Sequence, residues 1–352
     1  MDPRERCLRA IELEEVDLVP TVFRCRQEVL ELLGARLGTS DPDALCLALD
    51  VDVRSAPGLG LRSGHVPAEG AEKEGGKAVR VEAGREIRRD VWGIETGWAP
   101  DYTYTYSYVR HSLADADPDE YDWPEVDEEG VDRVSAYRRS RERFCVYAGV
   151  THLFEQAWQL VGFNRFLLMM RLRPSEANRI LDKIDGIRAQ EVELLSEAGV
   201  DVVVDGDDVG AQASMIVSPE LWRLMLKERY RALIRSAHKA GVKFMFHSDG
   251  WIEPIVPDLV EIGADVLNPV QPEVMNLKLL KEKYGDRLCF EGGISIQRTL
   301  PFGTPEDVKD EFTKRIRELG PTGVILGPTH SIQADTSVDN ILALYRACRR
   351  PQ

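Results

Sequence analysis

The chain has 352 residues, of which 43% are hydrophobic and 30% charged, an ordinary globular balance with enough apolar material for a sizeable core. Its formal net charge of -15 repels phosphate backbones and anionic lipid, which excludes nucleic acid or a membrane surface as a general partner. The six cysteines form no CxxC pair, so a thiolate zinc knuckle and a thioredoxin motif are excluded too.

Scattered cysteines suit a reducing compartment. The start MDPRERCLRAIELEEVDLVP has no apolar signal core, and no run of 18 apolar residues occurs. The expectation is a cytoplasmic protein without a membrane span.

Short apolar runs alternate with longer amphipathic stretches, the pattern of a parallel sheet with crossover helices. Eight strands are expected near Leu18–Arg24, Leu49–Ser55, Phe144–Val150, Val200–Asp205, Val242–Ser248, Ala264–Pro269, Arg287–Gly293 and Gly323–Gly327. Runs such as VDVVVD and GVKFMF are continuously apolar, as strands buried on both faces require. Helices are expected at Pro219–Ala240 after Ser218, at Pro305–Leu319 after Thr304, and at Thr336–Arg349. The fold class is therefore α/β, a (β/α)8 TIM barrel. It is a single domain over residues 1–352.

Residues 57–134 break the rhythm. GREIRRDVWGIETGW and DYTYTYSYVR alternate as a hairpin would, and YDWPEVDEEG reads as a loop. This stretch is an insertion after the second strand that covers the barrel mouth, with Trp92, Tyr102, Tyr104 or Trp123 near the opening, or else a surface excursion without a chemical role.

In this fold the active site lies at the C-terminal strand ends, and polar residues collect there. The fourth strand ends in DGDDVG with Asp205, Asp207 and Asp208, and the fifth in HSDG with His247 and Asp249. The sixth ends in NPVQP with Asn268 and Gln271, the seventh in FEGGISIQ with Glu291 and Gln297, and the eighth in GPTHSIQAD with His330 and Gln333. His247 and Asp249 stand two apart and point the same way from a strand end. That suits two ligands of one metal, or a carboxylate orienting a histidine. His330 arrives at the same mouth, and nitrogen and oxygen donors suit zinc as well as manganese, iron or nickel. Asp207 and Asp208 read as base, substrate anchors or helix caps, with Asp208 the stronger catalytic candidate. Glu155, just after the third strand, reads either as a group reaching the cavity or as an acid in a first helical turn. Gly292 and Gly293 suit a close backbone approach or positive φ.

FEQAWQLVGF, DGDDVG with SPELW, FHSDG, GADVLNPVQP, GGISIQ and GPTHSIQADTSVDNILALY, together with DVWG and YDWP, resemble the uroporphyrinogen decarboxylase superfamily. They are most similar to its methyltransferase branch, the coenzyme M methyltransferases and corrinoid-linked O-demethylases. The decarboxylases carry an RQAGR segment for their acidic tetrapyrrole. Here VFRCRQEVLELLG keeps only Arg24, Arg26 and Gln27, and GPTH stands where the decarboxylases have GHG. In the thiol-activating methyltransferases a His-x-Cys pair and a later Cys bind zinc. The resemblance places His247, Asp249 and His330 on those positions, and Glu155 or Glu291 is a candidate for the fourth position otherwise left to water or substrate. Two thiolates thus become a carboxylate and an imidazole, which hardens the site and disfavours coenzyme M as acceptor.

The reading that follows is a metal-dependent methyltransferase. It moves a methyl group between a small methoxylated or methylated substrate and a corrinoid carried on a partner protein. Asp208, His247 and His330 are the catalytic residues. Asp207, Gln271, Glu291, Gln297 and Gln333 contact substrate, and Zn2+ sits on His247, Asp249 and His330. The alternative is a cofactor-independent decarboxylase acting on a small acid, with Asp208 or His330 as proton donor. A homodimer is left open.

Overall fold

In the computed structural model, which describes residues 1–65, 77–98 and 106–349, the apolar runs pair into one seven-stranded sheet. In chain order its strands are β1 (Val53–Ser55), β2 (Cys145–Gly149), β3 (Val202–Gly206), β4 (Lys243–His247), β5 (Val266–Val270), β6 (Cys289–Ile294) and β7 (Val324–Pro328). Each pairs in parallel with the next.

The eighth stave is irregular. Residues 20–25 run between β7 and β1 and close the barrel through isolated parallel bridges, Thr21 to Leu326 and Cys25 to Ile332. On one side Val22 N donates to Leu326 O at 3.1 Å, and on the other Asp52 N donates to Thr21 O at 3.1 Å. The sequence predicts a regular strand here, and the local chemistry explains the difference. Pro20 has no N–H to give, and Thr21 N donates to the Asp52 carboxylate at 2.8 Å instead of to a main-chain carbonyl. The expected strand over Leu49–Ser55 also shortens. A helix occupies Pro42–Leu49, capped by Asp41, and Asp50 turns the chain at φ 59° before β1 begins.

Side chains alternate across each strand. The inward set includes Val22, Val53, Cys145, Tyr147, Val202, Met245, Val266, Cys289 and Ile325. Cys7, Ala10 and Ile11 of the helix Pro3–Ile11 join this cluster, and Arg4 N bonds Arg143 O, so the helix plugs the end of the barrel where the strands begin. The mouth at the other end is left to polar residues.

The outward faces pack under helices in a second, larger core. One ion pair lies inside that layer. Arg188, from the helix Pro174–Glu197, binds Asp205 of β3, and both side chains are fully buried. Arg188 also donates to Thr151 O at 3.1 Å and to Asp185 at 2.7 Å, which offsets the loss of solvent around the guanidinium.

Residues between β1 and β2 fold apart from the barrel sheet. A two-stranded ribbon joins Leu61–Arg62 to Glu125–Val126. A four-stranded antiparallel sheet is made of Lys77–Glu82, Arg85–Arg89, Glu95–Trp98 and Tyr106–Arg110. It docks on the helix Phe154–Val161, with Tyr108 edge-on to Trp158 and His111 Nδ1 2.7 Å from Gln159 O. Trp92 is only 5% exposed and packs against Trp123, which packs on Tyr121. Trp92 belongs to the large core under the barrel helices, and the half-buried Trp123 packs against that core. Tyr102 and Tyr104 fall outside the described residues.

Removing Arg188 alone strands a buried carboxylate. Arg188→Met should lower unfolding free energy by about 3–5 kcal/mol, and replacing Asp205 as well by an apolar residue should return much of that loss. Urea denaturation of the two variants checks this. Equal stability of wild type and Arg188→Met would show that Asp205 needs no counter-charge.

Candidate active site

The C-terminal strand ends converge as the alternation requires, and three of the residues singled out in the sequence come together. Asp208, His247 and Asp249 each place a ligand atom within 4.8 Å of the others, and all three are half-buried. His247 is the last residue of β4. Asp208 lies in the turn after β3, where its Oδ1 accepts the Asp249 N–H at 2.7 Å and stands 3.7 Å from His247 Nε2. Gly206 makes this approach possible, since a Cβ there would lie 1.8 Å from His247 O. Gln271 Oε1 accepts Gly250 N–H at 2.6 Å, which fixes the turn that carries Asp249.

The orientation of His247 follows from a chain of buried polar groups. Arg24 Nη1 sits 2.7 Å from Glu291 Oε1, and Asn268 Nδ2 donates to the same oxygen at 2.8 Å. A carboxylate only accepts, so the Asn268 amide must turn its Oδ1 toward His247 Nδ1, 2.6 Å away. That oxygen in turn requires Nδ1 to carry the proton. Nε2 is left with its lone pair, facing Asp208. Burial, outweighing the pull of Asp208, holds the imidazole below its ordinary pKa, in the neutral form.

His330 lies beside this group, its ring centre 6.2 Å from that of His247, and burial also lowers its pKa. The tight cluster thus has Asp208 where the sequence reading placed His330. Asp249 is raised to about 7 by burial and by the charges of Asp208 and Glu155, and its buried Oδ1 has no hydrogen-bond partner. Glu155 borders the site, paired with His152 Nδ1 at 2.7 Å. Burial opposes its charge, but His152, His247 and His330 outweigh that and lower its pKa.

Other expected contacts have different surroundings. Asp207 is fully buried. It accepts the N–H groups of Phe154 and Glu155 at 2.8 and 2.9 Å and the Tyr230 hydroxyl, so it holds the start of the helix Phe154–Val161 and does not face the mouth. Glu291 is fully buried beneath the cluster, in the barrel itself. Gln297 is exposed on the turn after β6, and Gln333 Nε2 donates to Ser331 O at 2.8 Å. Gly292 and Gly293 adopt φ 114° and 86° inside β6, where its pairing with β5 shifts register. The sequence reading undervalued Asn268 and His152. Register would have found the first, since Asn268 pairs directly with His247.

Two outcomes follow. Asn268→Leu removes the acceptor that fixes the His247 tautomer, so 15N chemical shifts of His247 should change from an Nδ1–H pattern to a mixture. An unchanged pattern would mean that Asn268 does not set it. The second concerns Glu191, which fastens Thr151 N–H at 2.8 Å beside His152 and is pushed by burial from the ordinary 4.5 to about 7. A carboxyl raised on folding stabilises fully below its unfolded value and loses that contribution as pH rises through about 7. Stability should therefore fall between pH 5 and pH 8, and Glu191→Gln should flatten that fall by about 2–3 kcal/mol. Urea titrations at both pH values check this, and an equal fall in the variant would assign the pH dependence to another group.

The family model for uroporphyrinogen decarboxylase (URO-D) matches residues 118–351. The uroporphyrinogen decarboxylase of Chlorobium luteolum is 25% identical over 180 residues, covering 50% of this chain and 49% of that protein. The one from Pelodictyon phaeoclathratiforme is 23% identical over 243 residues, 65% of this chain and 67% of that one. The chain thus spans about half the length of the first of these relatives. Among solved structures, a methyltransferase from Methanosarcina mazei shares the fold with a TM-score of 0.71 at 20% identity, over 99% of this chain and 98% of that one. The matched family region holds well over half of the chain and all the strand ends that build the cluster, and on that ground this chain belongs to the uroporphyrinogen decarboxylase family.

Proposed function

We propose that the protein is a metal-dependent methyltransferase, moving a methyl group between a small methylated or methoxylated substrate and a corrinoid held by a partner protein. The observation that carries this reading is the cluster of Asp208, His247 and Asp249 within 4.8 Å. Two carboxylates and an imidazole with a free lone pair, one carboxylate oxygen being buried without a partner, form a donor set that calls for a cation. Nitrogen and oxygen donors without thiolate suit zinc in a hard site. Asp208, His247 and Asp249 would hold it, with His330 at the rim as a further donor. Such a cation supplies Lewis acidity toward an ether or hydroxyl oxygen of the substrate.

The protein's own residues do the rest. Asn268 and Glu291 keep the His247 lone pair aimed at the cluster. Glu155 and His152 hold a proton beside it, the imidazole being raised to about 9, where the Glu155 carboxylate outweighs burial. That proton is placed to reach a leaving group at the mouth. The same acidic mouth disfavours the decarboxylase alternative. Asp208, Asp249 and Glu155 surround the reacting position, and Arg24 is already bound by Glu291. A carboxylate brought to that position meets like charge. The Methanosarcina mazei chain that shares the fold is itself a methyltransferase, which agrees with this reading.

Elemental analysis of protein purified without chelator should find stoichiometric zinc in the wild type and almost none in His247→Ala. Asn268→Leu should weaken zinc retention on the order of 10–100-fold in a chelator competition. Free cob(I)alamin, offered with methanol, methylamine or methoxyarenes, should be converted to methylcobalamin by wild type only. Near-zero metal in an active wild type would remove the metal from the mechanism. Zinc-loaded protein that methylates no cobalamin from any of these donors would overturn the reaction.

A further inference from the structure

Beside the barrel mouth, on the side of the irregular stave, lies a cavity of about 310 Å3. Its walls come from residues 23–25, from the helix Pro42–Leu49, from β1 and from the helix Gly130–Arg139. Two lining residues belong equally to the site already described. Arg24 is the group bound by Glu291, and Ser331 follows His330 in the chain. Its volume lies within the roughly 300–1,000 Å3 of small-ligand pockets.

The charge on its wall is unusual. Arg54 lines the cavity from β1 with a side chain only 3% exposed. Its Nη1 donates to Val51 O at 2.8 Å and Val53 O at 2.9 Å, and the guanidinium lies 3.9 Å from the centre of the Phe144 ring. These contacts fix the group in place without neutralising it, and Nη2 has no hydrogen-bond partner. The nearest counter-charge is Asp43, 3.2 Å from Nε. That carboxylate is also bound by Arg141. Two guanidinium groups share the Asp43 carboxylate, Asp41 acts on Arg141 from further off, and the Arg54 Nη2 next to the cavity is left without a hydrogen-bond partner.

The rest of the lining supplies no anion. Phe23 and Tyr137 are aromatic, and burial raises the Cys25 thiol to about 12 and the Cys46 thiol above its ordinary value, so both stay neutral. Arg24 is spent on Glu291.

We propose that this cavity binds the carboxylate end of a small monoanionic substrate with an apolar body, drawn by Arg54 and laid against Phe23 and Tyr137. The single unpartnered guanidinium edge of Arg54 offers a place for one carboxylate. The ligand is thereby oriented with its uncharged end toward His247. This last step rests on the methyl-transfer reading; the binding of the acid does not.

Calorimetric titration of the full-length protein with benzoate, and with benzamide as its neutral isostere, tests the site. Benzoate should bind, with benzamide at least about tenfold weaker. Cys46→Phe, which fills the cavity and keeps every charge, should abolish benzoate binding while its melting curve stays cooperative. Arg54→Met should erase the preference for the acid. If Arg54→Met does not fold, the filled-cavity variant and the benzamide comparison decide. Equal affinity for acid and amide, benzoate binding that survives in Cys46→Phe, or no benzoate binding by the folded wild type would each overturn the proposal. Benzoate binding as described, in a protein that methylates no cobalamin, would leave the cavity standing and remove the reaction.

Discussion

A carboxylate lies in the middle of this barrel, and much of the structure answers to it. Glu291 is fully buried on β6, where an isolated negative charge would be costly. Its compensation comes from Arg24, which stands on the least regular stave of the barrel. Barrel closure and charge compensation are therefore one event. The stave holds its place with few main-chain bonds, and the Arg24–Glu291 pair ties it across the interior. The same carboxylate oxygen takes the Asn268 amide, and Asn268 takes His247, so the ring at the mouth is oriented by a charge two hydrogen bonds away.

A second set of buried charges governs the opposite wall. Asp205 and Asp207 stand two apart on the strand end, and both carboxylates are buried. One is satisfied by Arg188 from the long helix; the other caps the helix Phe154–Val161 through two backbone N–H groups. With Glu191 holding Thr151, these contacts set the loop and helix start that carry His152 and Glu155. Acidic residues that look catalytic in the sequence here do positioning work. Asp208, next in the chain to the cap, is free to face the mouth.

The two sides of Arg24 differ in sign. Toward β4 the site gathers Asp208 and Asp249 beside the neutral imidazoles of His247 and His330, with Glu155 paired to His152. Toward β1 the cavity has Arg54 with an unpartnered Nη2. A polarity of this kind orients a ligand before any specific hydrogen bond forms. It is compatible with a donor set that prefers a hard cation, since the anionic half of the cleft is where that cation would sit.

The alternation of apolar runs and amphipathic stretches determined the barrel, because a strand buried on both faces has to be continuously apolar whatever surrounds it. The sequence alone also placed the polar strand ends, and with them His247, Asp249, Asp208 and His330, at one mouth, since β-strand alternation is a local property. It favoured Asp208 over Asp207 without the contact that separates them. Asp207 and Asp208 are identical neighbours in composition, and only the helix start at Phe154, which is far away in the chain, decides which one is buried. The proton on His247 Nδ1 depends on Asn268, whose own orientation depends on Glu291 and Arg24. The irregular first stave depends on Asp52 taking the N–H that a strand partner would have taken. Each of these outcomes is a competition for a hydrogen-bond partner or a counter-charge between groups distant in the chain, and only the folded arrangement settles such a competition.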